Sequence, residues 1–181
     1  EVYWQQELAI YDVHVIDKKG IFLNEKEFLP HEVVYRLPPQ ISDAGTRVEQ
    51  VRRDLERLVQ MGVNVIRLEG TGTGAEGVNC SEVRTFYSLC RKRGFLTGDL
   101  WIRPENLPVY RGLPGETTCQ ALLAADGRTL TERYYYYQAK WSSEPVLYPV
   151  LSTLHRQENG LLSLTIYSNQ KKVVLYVEGV L

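Results

Sequence analysis

A chain of 181 residues can form one large domain or two small ones, and with 44% hydrophobic and 24% charged residues it lies far from the composition of disorder. A net charge of −1 gives no electrostatic footprint for nucleic acid or an anionic membrane, and no apolar run approaches the ~20 residues of a membrane helix. Cys80, Cys90 and Cys119 cannot all pair, none stands in C-x-x-C spacing, and His14, His31 and His155 are scattered, so neither a metal nor a cofactor is expected.

The N-terminus, "EVYWQQELAI", begins without Met and lacks a basic-then-apolar leader pattern; it reads as a strand entered midway, as in an excerpt of a longer chain. Residues 1 to 38 are strand-like. "LAIYDVHVID" alternates apolar and polar residues, Lys18-Lys19-Gly20 supplies a turn, and "IFLN" and "EFLPHEVVYRL" follow as short strands before Pro38-Pro39.

Residues 39 to 112 alternate helix and strand. Thr46 and Glu49 have the spacing of a capping box, and Val48, Val51, Leu55, Leu58 and Val59 form one apolar helical face that ends at Gly62. "VNVIRLE" is dense in β-branched residues, as a buried parallel strand requires. After a glycine-rich loop, Ser81 can cap a second helix carrying Val83, Phe86, Tyr87 and Cys90; Gly94 ends it, and "FLTGDLWI" is the next strand. Short joints between such elements imply βαβ units and a parallel sheet.

Residues 113 to 181 read as all strand. Asp126-Gly127 and Asn159-Gly160 are hairpin signals, and "RYYYYQAKW", "LLSLTIYS" and "VVLYVEG" are β-type runs, enough for a small immunoglobulin-like sandwich. Asn79-Cys80-Ser81 is formally a glycosylation sequon, relevant only in a secreted chain.

The glycine loop, "EGTGTGAEG", admits three readings. Gly72, Gly74 and Gly77 spell G-x-G-x-x-G, and Asp99 lies at about the distance of a ribose-binding acid. In a working dinucleotide fingerprint, however, the third glycine lies in the first helical turn, whereas here Val78, Asn79 and Cys80 precede the cap at Ser81. The loop is otherwise a wide surface connection, or a loop at the carboxyl end of a barrel strand, where ligands gather.

Three stretches, "GIFLNEKEFLP", "DLERLVQMGVNVIRLEGTGTG" and "FYSLCRKRGFLTGDL", resemble the opening of the catalytic barrel in family 2 glycoside hydrolases, the β-mannosidase branch above all. "ALLAADGRTLTERYYYYQAKW", "YPVLSTLHRQ" and "GLLSLTIYSNQKKVVLYVEG" resemble the terminal immunoglobulin-like domain of the same branch. The resemblance implies an α/β plus all-β chain: 1–19 the strand tail of a preceding sandwich, 20–112 a partial (β/α) TIM-type barrel, and 113–181 a small immunoglobulin-like β-sandwich. Most of the barrel is missing, and "RPENLPVYRGLPGETT" is the joint.

That layout implies a truncated glycosidase, inactive or impaired. The family cleaves O-glycosidic bonds with two glutamates, and retaining enzymes set such carboxyl groups ~5 Å apart. Neither expected segment is present, and Asn24-Glu25 falls in the opening turn. Arg67 matches the family's strand-end arginine and Asp99 its sugar-binding aspartate; with Trp101 as a stacking surface, these are the candidate substrate residues for a β-mannoside-type sugar. Glu69 stands where the family has an aromatic, and "PHEVVY", with His31 and Glu32, replaces the usual motif before it. Glu69 and Asp99 form a conceivable carboxylate pair; a salt bridge from Arg67 to one of them is the plainer alternative. Trp4 and Trp141 are further aromatic surfaces. The other readings are a non-enzymatic carbohydrate-binding or interaction module that self-associates through exposed sheet edges, and, more distantly, a dinucleotide-binding βαβ unit.

Overall fold

A computed structural model describes residues 11–38, 44–69, 80–98, 107–112 and 121–176. The chain divides into two units, Glu1–Pro30 and His31–Leu181.

The first unit is a three-stranded antiparallel sheet of β1 (Val13–Ile16), β2 (Gly20–Leu23) and β3 (Lys26–Glu27). The expected turn at Lys18-Lys19-Gly20 is present, with Lys18 and Gly20 at φ 61° and 106°. Asn24 and Glu25 form the second tip at φ 48° and 66°, and the Asn24 carboxamide accepts from the Asp12 amide at 3.0 Å. Glu25 is thus a solvated turn residue, as its position in the sequence implied.

The second unit is built on five parallel strands: β4 (Glu32–Tyr35), β5 (Val65–Leu68), β6 (Leu96–Thr97), β7 (Val109–Arg111) and β8 (Ala121–Leu123). Their order is β6-β5-β4-β7-β8. Parallel pairing through α1 (Ala44–Met61) and α2 (Cys80–Lys92) follows the expected βαβ logic. The order departs from the sequential neighbours of a (β/α) barrel, because β7 adds beside β4 and β8 lies beyond it. Among the described residues the sheet is open.

Alternation explains how the sheet meets the helices. Val33 and Tyr35 of β4 register with Ile66 and Leu68 of β5 on one face, and these four share a core with Val51, Leu55 and Leu58 of α1 and Phe86 and Leu89 of α2. Val51, Leu55 and Leu58 of the stripe read from the sequence are therefore the buried face of α1, each contributing about 1.5–3 kcal/mol, with Val48 partly buried against them, whereas Val59, also assigned to that face, is 49% exposed. Glu32, Val34, Val65 and Arg67 point to the opposite face. Gly62 and Gly94 end the two helices at φ 88° and 80°, the left-handed conformation expected of them.

Four expectations need correction. Helix α1 begins at Ala44, so Thr46 is its third residue rather than its cap, and Glu49 pairs with Arg52 at 3.2 Å. Helix α2 begins at Cys80, so Ser81 lies inside its first turn, where its carbonyl accepts from the Thr85 hydroxyl at 2.9 Å. "RYYYYQAKW" is helical: α3 spans Glu132–Trp141. Tyrosine favours strands in isolation, but tertiary packing overrides a propensity of this size. Tyr134 inserts into the core shared with α1 and donates to the Arg57 carbonyl at 2.8 Å, while Tyr135 stacks on Tyr148 with centroids 3.9 Å apart. Finally, residues 173–176 of the "VVLYVEG" run form no strand, and 177–179 lie outside the described residues.

Residues 113–181 are consequently not all strand. Strand β8 joins the parallel sheet, and β9 (Leu147–Arg156) and β10 (Leu162–Ser168) form a separate antiparallel pair across the expected Asn159-Gly160 turn. Among the described residues no second sheet packs on that hairpin to complete a sandwich. Asp126-Gly127 is a turn as expected, but it closes a single bridge between Leu123 and Leu130 before α3.

Candidate functional site

The carboxyl ends of parallel strands collect the chemistry in such sheets, because the helices that follow turn their amide-rich ends toward them. Here Arg36 follows β4, Glu69 follows β5, and Arg111 ends β7. The Glu69 amide donates to the Tyr35 carbonyl at 2.9 Å, continuing the ladder one residue past the strand. That brings its carboxylate to Arg36, whose Nε–H donates to Glu69 Oε2 and whose Nη1 reaches the Arg111 carbonyl at 3.4 Å. Arg36 thus ties all three strand ends together.

A second pair lies on the sheet face away from the helices. Arg67 Nε donates to Glu32 Oε1 at 2.9 Å. Strand register dictates the partner: Arg67 stands beside Val34, and Glu32 is two residues earlier on the same face. The Glu32 side chain is fully buried and that of Arg67 is 15% exposed. Arg67 is thus bridged to Glu32, which was not one of the two expected partners; of those, Glu69 pairs with Arg36 and Asp99 lies outside the described residues. Asp99 and Trp101 lie outside the described residues, as do Trp4 and the glycine loop from Gly70 to Asn79.

Beneath the strand ends is a cluster that the sequence reading missed. Asp54 of α1 is completely buried. Its Oδ2 accepts from the Tyr35 hydroxyl and Arg111 Nη2, each at 2.9 Å; its Oδ1 accepts from the Tyr110 hydroxyl at 3.1 Å and Gln50 Nε2 at 3.0 Å. Arg57 Nη1 lies 3.9 Å from Oδ1. Burial, reinforced by the Asp54 charge, holds both tyrosine hydroxyls well above their ordinary pKa, so they stay protonated and donate. The signal was available: an acid at 54 falls inside the apolar stripe Val51, Leu55, Leu58, where only a paired carboxylate can be buried.

Other expected surfaces are packing. Trp141 stacks on His31 with ring centroids 5.0 Å apart and lies tilted by 41° against Tyr137 at 4.5 Å, and His31 Nδ1–H donates to the Gly62 carbonyl at 2.8 Å. Cys90 is buried and unpaired, and burial pushes its thiol pKa up to about 12, which leaves it inert. Among the described residues no group of three or more His, Cys, Asp or Glu could hold a metal ion, and no helix is long and apolar enough to cross a membrane.

Strand order also bears on the dinucleotide reading. Winding reverses between β4 and β7, and in a doubly wound sheet the phosphate loop follows the strand at that switch point. The glycines instead follow β5, one strand away. No family model matches this sequence, and no curated protein matches it significantly.

Proposed function

We propose that this chain is a shortened relative of the β-mannosidase-type glycoside hydrolases that holds a β-mannoside-class sugar without cleaving it. The observation that carries the reading is that both acidic side chains described along this sheet are closed into arginine pairs, Glu69 with Arg36 and Glu32 with Arg67. A retaining glycosidase needs one carboxyl that keeps its proton to donate to the leaving oxygen. Here each carboxylate is instead engaged by a guanidinium group, Glu69 Oε2 by Arg36 and Glu32 Oε1 by Arg67, and neither oxygen is free to face a glycosidic bond.

Kinship with a barrel draws support from the helices. All three share one core on one face of the sheet, as helices do around a barrel, whereas a doubly wound sheet carries them on both. Strand β7 beside β4 takes the place of a closing barrel strand next to the first, although β8 has no counterpart in that scheme. Arg67 on the opposite face is the residue we assign to the sugar hydroxyls, with Asp99 and Trp101 as its expected companions.

Calorimetric titration with methyl β-mannoside, alongside a chromogenic β-mannoside assay, tests this directly. Saturable binding in the ~mM range, lost in Arg67→Ala, with no hydrolysis above background, is the expected outcome. Affinity unchanged by Arg67→Ala removes the site assignment, and turnover removes the non-cleaving assignment.

A second reading, an interaction module, is favoured by the hairpin. Leu147, Leu151, Leu154, Leu161 and Leu162 are each more than half exposed on β9, β10 and their turn. Apolar surface of that kind on an open-edged sheet predicts self-association. A clean monomer by sedimentation at high concentration contradicts it.

A further inference from the structure

The tyrosines of α3 do not pack as equivalent rings. Neighbours along the helix meet edge-on: Tyr134 with Tyr135 at 85° and Tyr136 with Tyr137 at 80°, in each case with centroids 5.3 Å apart. Tyr136 meets Tyr167 of β10 at 73° and 5.4 Å. Tyr135 differs. Its ring lies within 6° of parallel to that of Tyr148 on β9, with centroids 3.9 Å apart. That is closer than the ~4.5–7 Å usual for aromatic pairs.

Helix and strand are pinned around this pair. Three residues before Tyr135, Glu132 Oε1 accepts from the Ser152 hydroxyl of β9 at 2.6 Å, and Val150, two residues beyond Tyr148, is buried. Both tyrosines are themselves partly exposed, so solvent takes their protons when they ionise or are oxidised. The sugar reading uses neither residue.

Ring geometry decides which pair can couple. One-electron oxidation of a tyrosine, with loss of the phenolic proton, leaves the unpaired electron shared between the oxygen and the ring carbons, those ortho to it among them. Its lobes stand perpendicular to the ring, so stacked rings aim them at each other and edge-on rings do not. Tyr35 and Tyr110 also stack, at 18° and 5.5 Å, but both are fully buried and their hydroxyls donate to Asp54. Tyr148 and Tyr167 are 6.5 Å apart. Holding two reacting groups in contact makes their union effectively unimolecular, which favours Tyr135 with Tyr148 over any pair formed between chains.

We propose that Tyr135 and Tyr148 are a dityrosine cross-linking site, served by a one-electron oxidant of the haem-peroxidase class working with hydrogen peroxide. Each phenol gives up one electron and one proton, and a carbon–carbon bond forms between the two ortho positions. The hydrogens on those carbons then move to the two oxygens, restoring both aromatic rings. The two electrons and two protons removed reduce one hydrogen peroxide to two waters. The new bond fastens α3 to β9 and closes the chain between them into a loop, restricting the unfolded state as a disulfide does. Neither Arg67 nor Glu32 takes part, so the site stands whether or not the chain binds sugar.

The test treats the full chain with hydrogen peroxide and a haem peroxidase, at one protein concentration and again after dilution, and maps the monomer by mass spectrometry of its peptides. The expected product is a monomer lighter by two hydrogen atoms, with dityrosine fluorescence, a linked peptide pair carrying Tyr135 and Tyr148, and a yield that dilution does not change. Tyr135→Phe and Tyr148→Phe keep the stacked ring and lose the phenol, so each abolishes that link, whereas Tyr167→Phe retains it. A circular-dichroism spectrum and an unfolding midpoint close to those of the parent chain show that the variants are folded. A monomer without the cross-link, a link that maps chiefly to other tyrosines, or a yield that falls with dilution overturns the proposal.

Discussion

Asp54→Asn removes one charge and almost no volume, so it isolates what the buried carboxylate does. Four donors converge on Asp54, from Tyr35, Tyr110, Gln50 and Arg111, at 2.9 to 3.1 Å. An asparagine accepts on one side only, and its NH2 faces either Tyr35 and Arg111 or Tyr110 and Gln50. A hydroxyl can rotate to accept, but Arg111 cannot, and its side chain is only 12% exposed. Removing one partner of a buried ion pair costs about 3–5 kcal/mol, and relaxation of the tyrosine hydroxyls brings the expected loss toward the lower end, about 3 kcal/mol. That is a large share of a total stability of about 5–15 kcal/mol. In a unit of this size it lowers Tm by about 6–12 °C. Urea unfolding followed by circular dichroism measures the loss, with an unchanged m-value showing that it is a native-state effect. A change below about 1 kcal/mol, the size of an ordinary surface substitution or little more, refutes the claim that this cluster holds α1 to β4 and β7.

Gly62→Ala is expected to destabilise by about 2 kcal/mol or more. The position has φ 88°, and a Cβ there would collide with the backbone of Trp141 and Ser142, so thermal unfolding of this variant reports the packing of the first helix against the third. Above about pH 10 the chain is expected to lose stability progressively. Tyr35, Tyr110 and Tyr134 have folded pKa values raised above their ordinary 10.0, that of Tyr134 up to about 12, chiefly by burial. Between the two values the unfolded state gives up its proton and the folded state keeps it, so the stabilisation present below pH 10 is lost as pH rises. Denaturant midpoints measured from pH 8 to 11 check this; a flat profile contradicts the burial of these hydroxyls.

The sequence exposed much of this fold where local pattern and tertiary need coincide. The stripe of Val51, Leu55 and Leu58 marks α1, the run around Val65 and Ile66 marks a buried strand, and Gly62, Gly94 and Gly160 stand where left-handed backbone is required. The tyrosine run misled because β propensity is a property of packing on a pleated surface, whereas Tyr134, Gln138 and Trp141 follow a helical period that brings Tyr134 to the core and Trp141 to His31. Strand order was not legible, since pairing β7 with β4 is a non-local choice that no local pattern encodes. At the candidate site, Arg67 was visible as a strand-end arginine, but its partner was set by register across two strands. Asp54 was visible as an acid on an apolar face, and its four donors come from elements as distant in sequence as residue 111.

A single NMR experiment addresses the central claim most directly: saturation-transfer difference spectra of methyl β-mannoside with the full chain, with the anomeric proton followed in the same tube over days. Saturation transfer that disappears in Arg67→Ala, with an anomeric signal that stays that of the glycoside, is the expected result. Growth of free mannose, or transfer that survives the loss of Arg67, contradicts it.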